Sequence, residues 1–270
     1  MAFRPLLTGI LSSAAGGVPW DISGAEFVQS FSVSSQETSP QGLFFKPDGT
    51  KMYVIGSTND NVNEYDLSAA WDISTASYSQ NLDISSREIN PFSVFFKSDG
   101  TKMYFVGVAG GDINEYSLST AWDVSTGSYT RRLDVTSQES TPLGVFFKAD
   151  GTKMYVVGLN GNAVFEYDLS TAWDISSATY LQSFSILVGT PTDIFFKPDG
   201  AKMYIVGSLN DAVNEYDLST AWDVTTASSV QSFTVAGKET EPYGLFFGDD
   251  GKKMYVTGGS SDAVHQYNLT

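Results

Sequence analysis

One histidine, His265, stands among 270 residues, and cysteine is absent. A cysteine nucleophile and a disulfide therefore have no material to work with, and a single histidine nearly excludes a histidine-based triad or a multi-histidine metal centre. Chemistry would fall to carboxylates and aromatic rings. Glu64, Glu115, Glu166 and Glu215 recur in one sequence context, and the last copy of that context carries Gln266 instead. Loss of the carboxylate from one copy argues against a required five-fold site, so these side chains read as satisfied structural carboxylates. His265 occupies a column that holds Asn63, Asn114, Phe165 and Asn214 elsewhere. A position that accepts Asn, Phe and His is not expected to be catalytic. Trp-Asp pairs begin at Trp20, Trp71, Trp122, Trp173 and Trp222. Their rings could stack sugars, but such regularity fits packing, with the Asp capping a nearby backbone donor. Asp48-Gly49 and its copies read as turn chemistry rather than as metal ligands. No metal and no cofactor is expected.

The residues that vary more lie in two sets of connections. One set carries Glu37, Glu88, Glu139 and Glu239; the other carries Asp60, Asp112, Asp211 and Asp262. Both sets are expected on one face, and loops on a rigid scaffold are where binding is usually built. These eight acids are the expected ligand-binding residues. Oxygen ligands of this type suit a hard cation such as calcium, but no loop alone supplies enough of them.

Composition narrows the partners. Lys and Arg total 15 against 31 Asp and Glu, a net charge of −16. A nucleic-acid binder needs a basic face, and anionic lipid attracts basic segments, so neither nucleic acid nor a lipid surface is an expected partner. Aromatics reach 14% while charged residues stay at 17%, the composition of a folded, sticky chain rather than a disordered one.

What must position these residues is a repeat. The five tryptophans are spaced by 51, 51, 51 and 49 residues. Met52, Met103, Met154, Met203 and Met254 are spaced by 51, 51, 49 and 51. Each unit reads as four strands. Gly42–Lys46 is the first, followed by a Pro-Asp-Gly turn whose glycine supplies a positive φ. Lys51–Gly56 is apolar on both faces, as a doubly buried strand should be. Asn61–Leu67 is the third. After a long connection, Gln80–Ile84 alternates as a half-buried outer strand. The two-residue deletion in the fourth unit falls in the loop Leu187–Thr190. Four antiparallel strands per unit, five times over, predict an all-β, five-bladed β-propeller. The chain opens on a fourth strand, Phe27–Val33, and ends on a third, Val264–Leu269. The N-terminal strand is therefore expected to close the ring, leaving no edge created by the chain ends.

The run Phe45–Gly56, with its Lys-Pro-Asp-Gly turn and Lys-Met-Tyr strand, resembles the repeats of YVTN, NHL and lactonase-like propellers. The resemblance covers residues 19–270 and implies the fold; propellers host binding proteins and enzymes alike, so it leaves function open. Near-identical tandem units also resemble propeller repeats of phage virion and bacterial surface proteins. Five equal sites do not make one asymmetric catalytic constellation. The expectation is a non-catalytic, displayed propeller on a virion surface that binds a receptor or glycan, with a secreted or bacterial cell-surface lectin-like protein as the alternative and a funnel-site hydrolase or lactonase behind both. Residues 1–18 stand outside the repeat and carry Phe3, Leu6, Leu7, Ile10 and Leu11. In water these side chains would forgo about 1.5–3 kcal/mol each of burial. They are expected to anchor an arm in a protein partner within a larger assembly, with no membrane span because the run is too short.

Overall fold

The structure is a computed structural model that describes residues 17–270. Five four-stranded antiparallel sheets form a ring. The chain enters at β1 (Glu26–Ser32). Blade one is β2 (Pro40–Phe45), β3 (Lys51–Gly56), β4 (Asn61–Leu67) and β5 (Ala76–Asp83). Blade two is β6 (Pro91–Phe96), β7 (Lys102–Gly107), β8 (Asp112–Leu118) and β9 (Gly127–Asp134). Blade three is β10 (Pro142–Phe147), β11 (Lys153–Gly158), β12 (Ala163–Leu169) and β13 (Ala178–Ser185). Blade four is β14 (Pro191–Phe196), β15 (Lys202–Gly207), β16 (Ala212–Leu218) and β17 (Ala227–Thr234). Blade five is β18 (Pro242–Gly248), β19 (Lys253–Gly258) and β20 (Ala263–Asn268), completed by β1 in the order β1-β20-β19-β18.

The strands follow the hydrophobic pattern closely. From Met52 to Gly56 β3 is wholly buried, packed on both faces as the Lys-Met-Tyr runs require. Half-buried and exposed residues alternate along the last part of β5, with Leu82 and Ile84 turned inward. Ring closure is by β1 on β20, with Phe27 opposite Tyr267, Ser30 opposite His265 and Ser32 opposite Ala263. Several strand ends shift by one residue from expectation, and two starts shift by more. The inner strands begin at the proline, two residues early. The outer strands begin at Ala76 and its equivalents, because a one-turn 3-10 segment such as Ile73–Thr75, capped by Asp72, feeds straight into the strand. The expected anchoring arm, residues 1–18 with Phe3, Leu6, Leu7, Ile10 and Leu11, lies outside the described residues apart from Gly17 and Val18.

Blades are locked to their neighbours at the lower end, where the Trp-Asp connections sit. Each Trp adopts a positive φ of 64–69°. Its ring covers the glycine of a Pro-Asp-Gly-type turn: a Cβ on Gly49 would lie 2.5 Å from the Trp71 ring, and Gly49 itself has φ 73°. Only glycine meets both conditions. The Trp carbonyl then receives a tyrosine hydroxyl from another blade: Tyr53 to Trp122 at 2.8 Å, Tyr104 to Trp173 at 2.7 Å, Tyr155 to Trp222 at 2.8 Å and Tyr255 to Trp71 at 2.7 Å. The Trp rings are thus packing elements, and Asp72 accepts from the Ser74 amide at 3.0 Å as its cap.

Candidate functional site at the upper mouth of the channel

The inner strands β2, β6, β10, β14 and β18 surround the axis. Phe44, Phe95, Phe146, Phe195 and Phe246 project into it. Each meets the next edge to face, with centroids 5.2, 5.2, 5.4, 5.2 and 5.2 Å apart around the full circle. Such contacts are favourable for aromatic pairs. The ring of phenylalanines fills the channel and separates an upper from a lower end. Below it, an aromatic hollow of about 160 Å³ is lined by these rings, Trp173, Trp222, Pro47 and Pro198.

Carboxylates of the repeat are consumed by the fold. Glu64 is buried and takes the Lys51 ammonium at 2.5 Å, the Gln80 amide at 3.1 Å and the Val124 amide of the next blade at 3.1 Å. Glu115, Glu166 and Glu215 are likewise buried against Lys102, Lys153 and Lys202. In blade five Gln266 substitutes, accepting from Gln29 at 2.9 Å. At the lower turns, burial would raise the Asp48 carboxyl, but the Lys46 ammonium and the Thr50 hydroxyl and amide outweigh it and hold it at about 2. These turn acids are therefore committed to their own hairpins.

The upper loops depart from the sequence expectation. Glu37, Glu88, Glu139 and Glu239 are buried, not displayed to solvent. Glu139 accepts from the amides of Thr141 at 2.8 Å, Asn160 at 3.2 Å and Gly161 at 2.7 Å. Glu37 serves Ser39 and Thr58 in the same way, and Glu88 serves Asn90, Ala109 and Gly110. The carboxylate stitches two loops together, satisfying amides that would otherwise be buried unpaired. In blade four Val188 fills this place, its methyl 2.4 Å from where a Cβ on Gly207 would stand. The partner aspartates act mainly through their backbones. Asp60, Asp211 and Asp262 are half-buried at φ 52°, 47° and 50°, and their carbonyls accept from Ile84, Val235 and Val33. Asp112 is buried and paired with Arg132 at 2.8 Å; burial raises its carboxyl although Arg132 opposes this. Among the described residues no group of three His, Cys, Asp or Glu is placed to hold a metal ion.

What remains open is the upper mouth of the channel, and there the blades differ from one another. The residue after each inner-strand proline is Gln41, Phe92, Leu143, Thr192 or Tyr243. With Thr190, Ser208 and Leu159, four of these line a hollow of about 320 Å³. Phe92 and Tyr243, on the blades either side of Gln41, meet edge to face at 5.8 Å. Gln41 is buried between those blades; its amide donates to Ser39 at 3.0 Å, and its Oε1 has no partner. Beside the mouth, Leu187 and Leu209 of blade four are fully or largely exposed, an apolar shelf at the shortened loop. The mouth thus combines aromatic, aliphatic and neutral polar groups in an arrangement without five-fold symmetry. That mixture typifies ligand pockets. Position 41 and its equivalents are the signal that the sequence held: a different residue in every copy, between an invariant proline and the invariant Phe-Phe pair of the strand.

One level below the mouth, the sequence also conceals an asymmetry. Gly42, Gly144 and Gly244 allow the inner strands to close in, a Cβ on Gly144 standing 2.8 Å from the Asp193 Cα. Blades two and four carry Ser93 and Asp193 instead. Asp193 is buried, accepting from Leu245 N at 3.0 Å, Ile194 N at 3.0 Å and Ser93 Oγ at 3.2 Å. Burial pushes its carboxyl up to about 7 despite these bonds.

No known family's sequence profile matches the chain, and no curated protein matches it. Solved structures do. A functionally unknown protein from Desulfotomaculum acetoxidans is 14% identical with a TM-score of 0.51, over 82% of this chain and 66% of that one. A protein from Lactobacillus plantarum is 20% identical with a TM-score of 0.49, over 72% and 55%. The periplasmic gluconolactonase of Pseudomonas aeruginosa is 14% identical with a TM-score of 0.47, over 73% and 54%. The chain therefore spans about two thirds of the first of these structures and little more than half of the others. The first of these likenesses speaks for the fold alone, and the propeller resemblance of the strand motif holds at that level.

Proposed function

We propose that the chain is a non-catalytic binding propeller that reads its partner with the upper face, centred on the channel mouth. The observation that carries this is the division of labour among side chains. Repeated carboxylates are tied into loops and blade boundaries, phenylalanines fill the axis, and the blades diverge from one another around the mouth. Recognition needs such asymmetry, while the repeated carboxylates are buried and paired with lysines or with loop amides. The partner is a cell-surface glycan or receptor. In this proposal the propeller is displayed on a virion, held by residues 1–18 in a protein partner of the particle; a secreted or bacterial surface lectin would use the same face. Among the described residues no helix is long and apolar enough to cross a membrane.

The test is an assay of the purified chain on sugar lactones and aryl glycosides, with Asp193→Asn and Glu64→Gln as companions. No turnover that depends on either carboxylate is expected. Turnover abolished by one of these changes, with folding intact, would replace the binding assignment by a hydrolytic one. Protease protection of residues 1–18 in the native particle would support the anchoring arm; free cleavage there would favour the secreted alternative.

A further inference from the structure

The seam that closes the ring holds a polar chain found in no other blade. Glu239 is buried, and its Oε1 accepts from the amides of Glu241 at 2.9 Å and Ser260 at 3.1 Å and from the Ser260 hydroxyl. Its Oε2 accepts from the Ser261 hydroxyl at 2.6 Å. Burial would raise this carboxyl, but His265, the two serines and the Glu241 amide outweigh it and hold it at about 2. An ionised carboxylate only accepts, so Ser261 must give its proton to Glu239. The Ser261 oxygen, 2.8 Å from His265 Nε2, is then left to accept. In the neutral imidazole the proton therefore sits on Nε2, and Nδ1 presents a lone pair. That lone pair faces the Ser30 hydroxyl at 2.8 Å. His265 itself is buried, while Ser30 is exposed.

The order Ser30, His265, Ser261, Glu239 is that of a nucleophile, a base, and groups that orient the base. Beside it lies an apolar shelf. Phe27 sits on the same face of β1, 6.4 Å from the His265 ring, is 38% exposed, and carries the Lys238 ammonium 4.0 Å above it. The geometry points to Ser30 as a reactive serine that takes an acyl group from an activated ester. In the step, Ser30 Oγ bonds to the acyl carbon while the ester C–O bond breaks. The serine proton passes to His265 Nδ1 and then to the departing aryloxide, which leaves as the phenol. The product is one O-acylated serine per chain.

The fold supplies its own controls. Ser183 and Ser232 occupy the same outer-strand position in blades three and four, opposite Phe165 and Asn214 rather than a histidine. His265→Asn places at this site the residue that blades one, two and four already carry, so it is compatible with the fold. The experiment is incubation with p-nitrophenyl acetate, release of p-nitrophenol being followed and the acetyl group located by peptide mass spectrometry. The expected result is one acetyl group, on Ser30, absent in Ser30→Ala and slowed about a hundredfold in His265→Asn, a loss typical of removing a general base. Ser261→Ala should slow labelling by a smaller factor. Equal labelling of Ser183 or Ser232, no labelling of Ser30, or a rate unchanged in His265→Asn would overturn the assignment.

Discussion

Tyr204 donates its hydroxyl to the backbone carbonyl of Trp20 at 2.5 Å, joining blade four to a segment 184 residues away in the chain. Tyr53, Tyr104 and Tyr155 make the same bond to the tryptophan of a neighbouring stretch of chain, and Tyr255 makes it to Trp71 across the same span, from blade five to blade one. The Tyr204 bond holds the incoming chain end just ahead of the closing strand, together with the Gln231 bond to Asp21 at 2.9 Å.

Tyr204→Phe should therefore differ from Tyr104→Phe in kind. Each removes one buried hydrogen bond, for a loss of about 0.5–1.5 kcal/mol. Only Tyr204→Phe should also speed amide hydrogen exchange in residues 20–32, because β1 is held to the ring by fewer links than a strand between two covalent neighbours. Hydrogen-exchange mass spectrometry on both variants checks this. Equal exchange in that segment would show that the bond has no special part in closure.

The lower turns make a second prediction. Gly200 has φ 74°, and a Cβ there would stand 2.4 Å from the Trp222 ring. Gly200→Ala should cost about 1–3 kcal/mol in backbone strain, with more from displacing the indole. A lowered melting temperature with a red-shifted tryptophan emission is the expected pair of signs.

Asp193 makes stability depend on pH. Its carboxyl lies near 7 in the folded chain, against an ordinary value of 3.8. Between those values the folded state binds more protons than the unfolded state, so this group's contribution is present at low pH and is lost as pH rises through about 7. The slope is at most about 1.4 kcal/mol per pH unit. Asp193→Asn cannot titrate, so the stability difference between variant and wild type should shift in the variant's favour from pH 4 to 7. Urea unfolding at pH 4, 5.5 and 7 measures it. A difference independent of pH would mean that Asp193 does not titrate in this range.

The glutamate loops should behave as structural parts. Glu139→Ala leaves the amides of Thr141, Asn160 and Gly161 without their acceptor, at a cost of about 1–3 kcal/mol. The same change should leave partner binding intact once folding is allowed for. Binding lost in a variant with unchanged melting would restore Glu139 to the recognition surface.

Much of this architecture is legible in the repeats, for simple reasons. The Phe-Phe-Lys and Lys-Met-Tyr runs mark strands buried on both faces, and the phase of the repeat requires β1 to complete blade five. Glu64 and its copies were recognisable as structural because one blade does without the carboxylate. The site was harder. Grouping copies by what they share hides positions 41, 92, 143, 192 and 243, whose meaning lies in their differences. Burial of Glu37 is invisible because loop acids are usually solvated; only the amides of the facing loop draw it inward. His265 looked interchangeable with Asn63 and Asn114, because its partner Ser30 comes from the other end of the chain.

The central claim is that recognition belongs to the channel mouth. It is tested most directly by applying the fluorescently labelled propeller to an array of immobilised surface glycans, alongside Leu159→Arg and Tyr243→Ala, Leu159 being an exposed residue of the same hollow. Both positions line the mouth, and neither takes part in the blade-locking bonds. A restricted set of bound glycans is expected, with the signal lost at least about tenfold in both variants while their melting temperatures stay near wild type, as a site built on a few well-placed contacts would behave. Binding that persists unchanged in both variants, or no binding to any glycan on the array, would contradict the account.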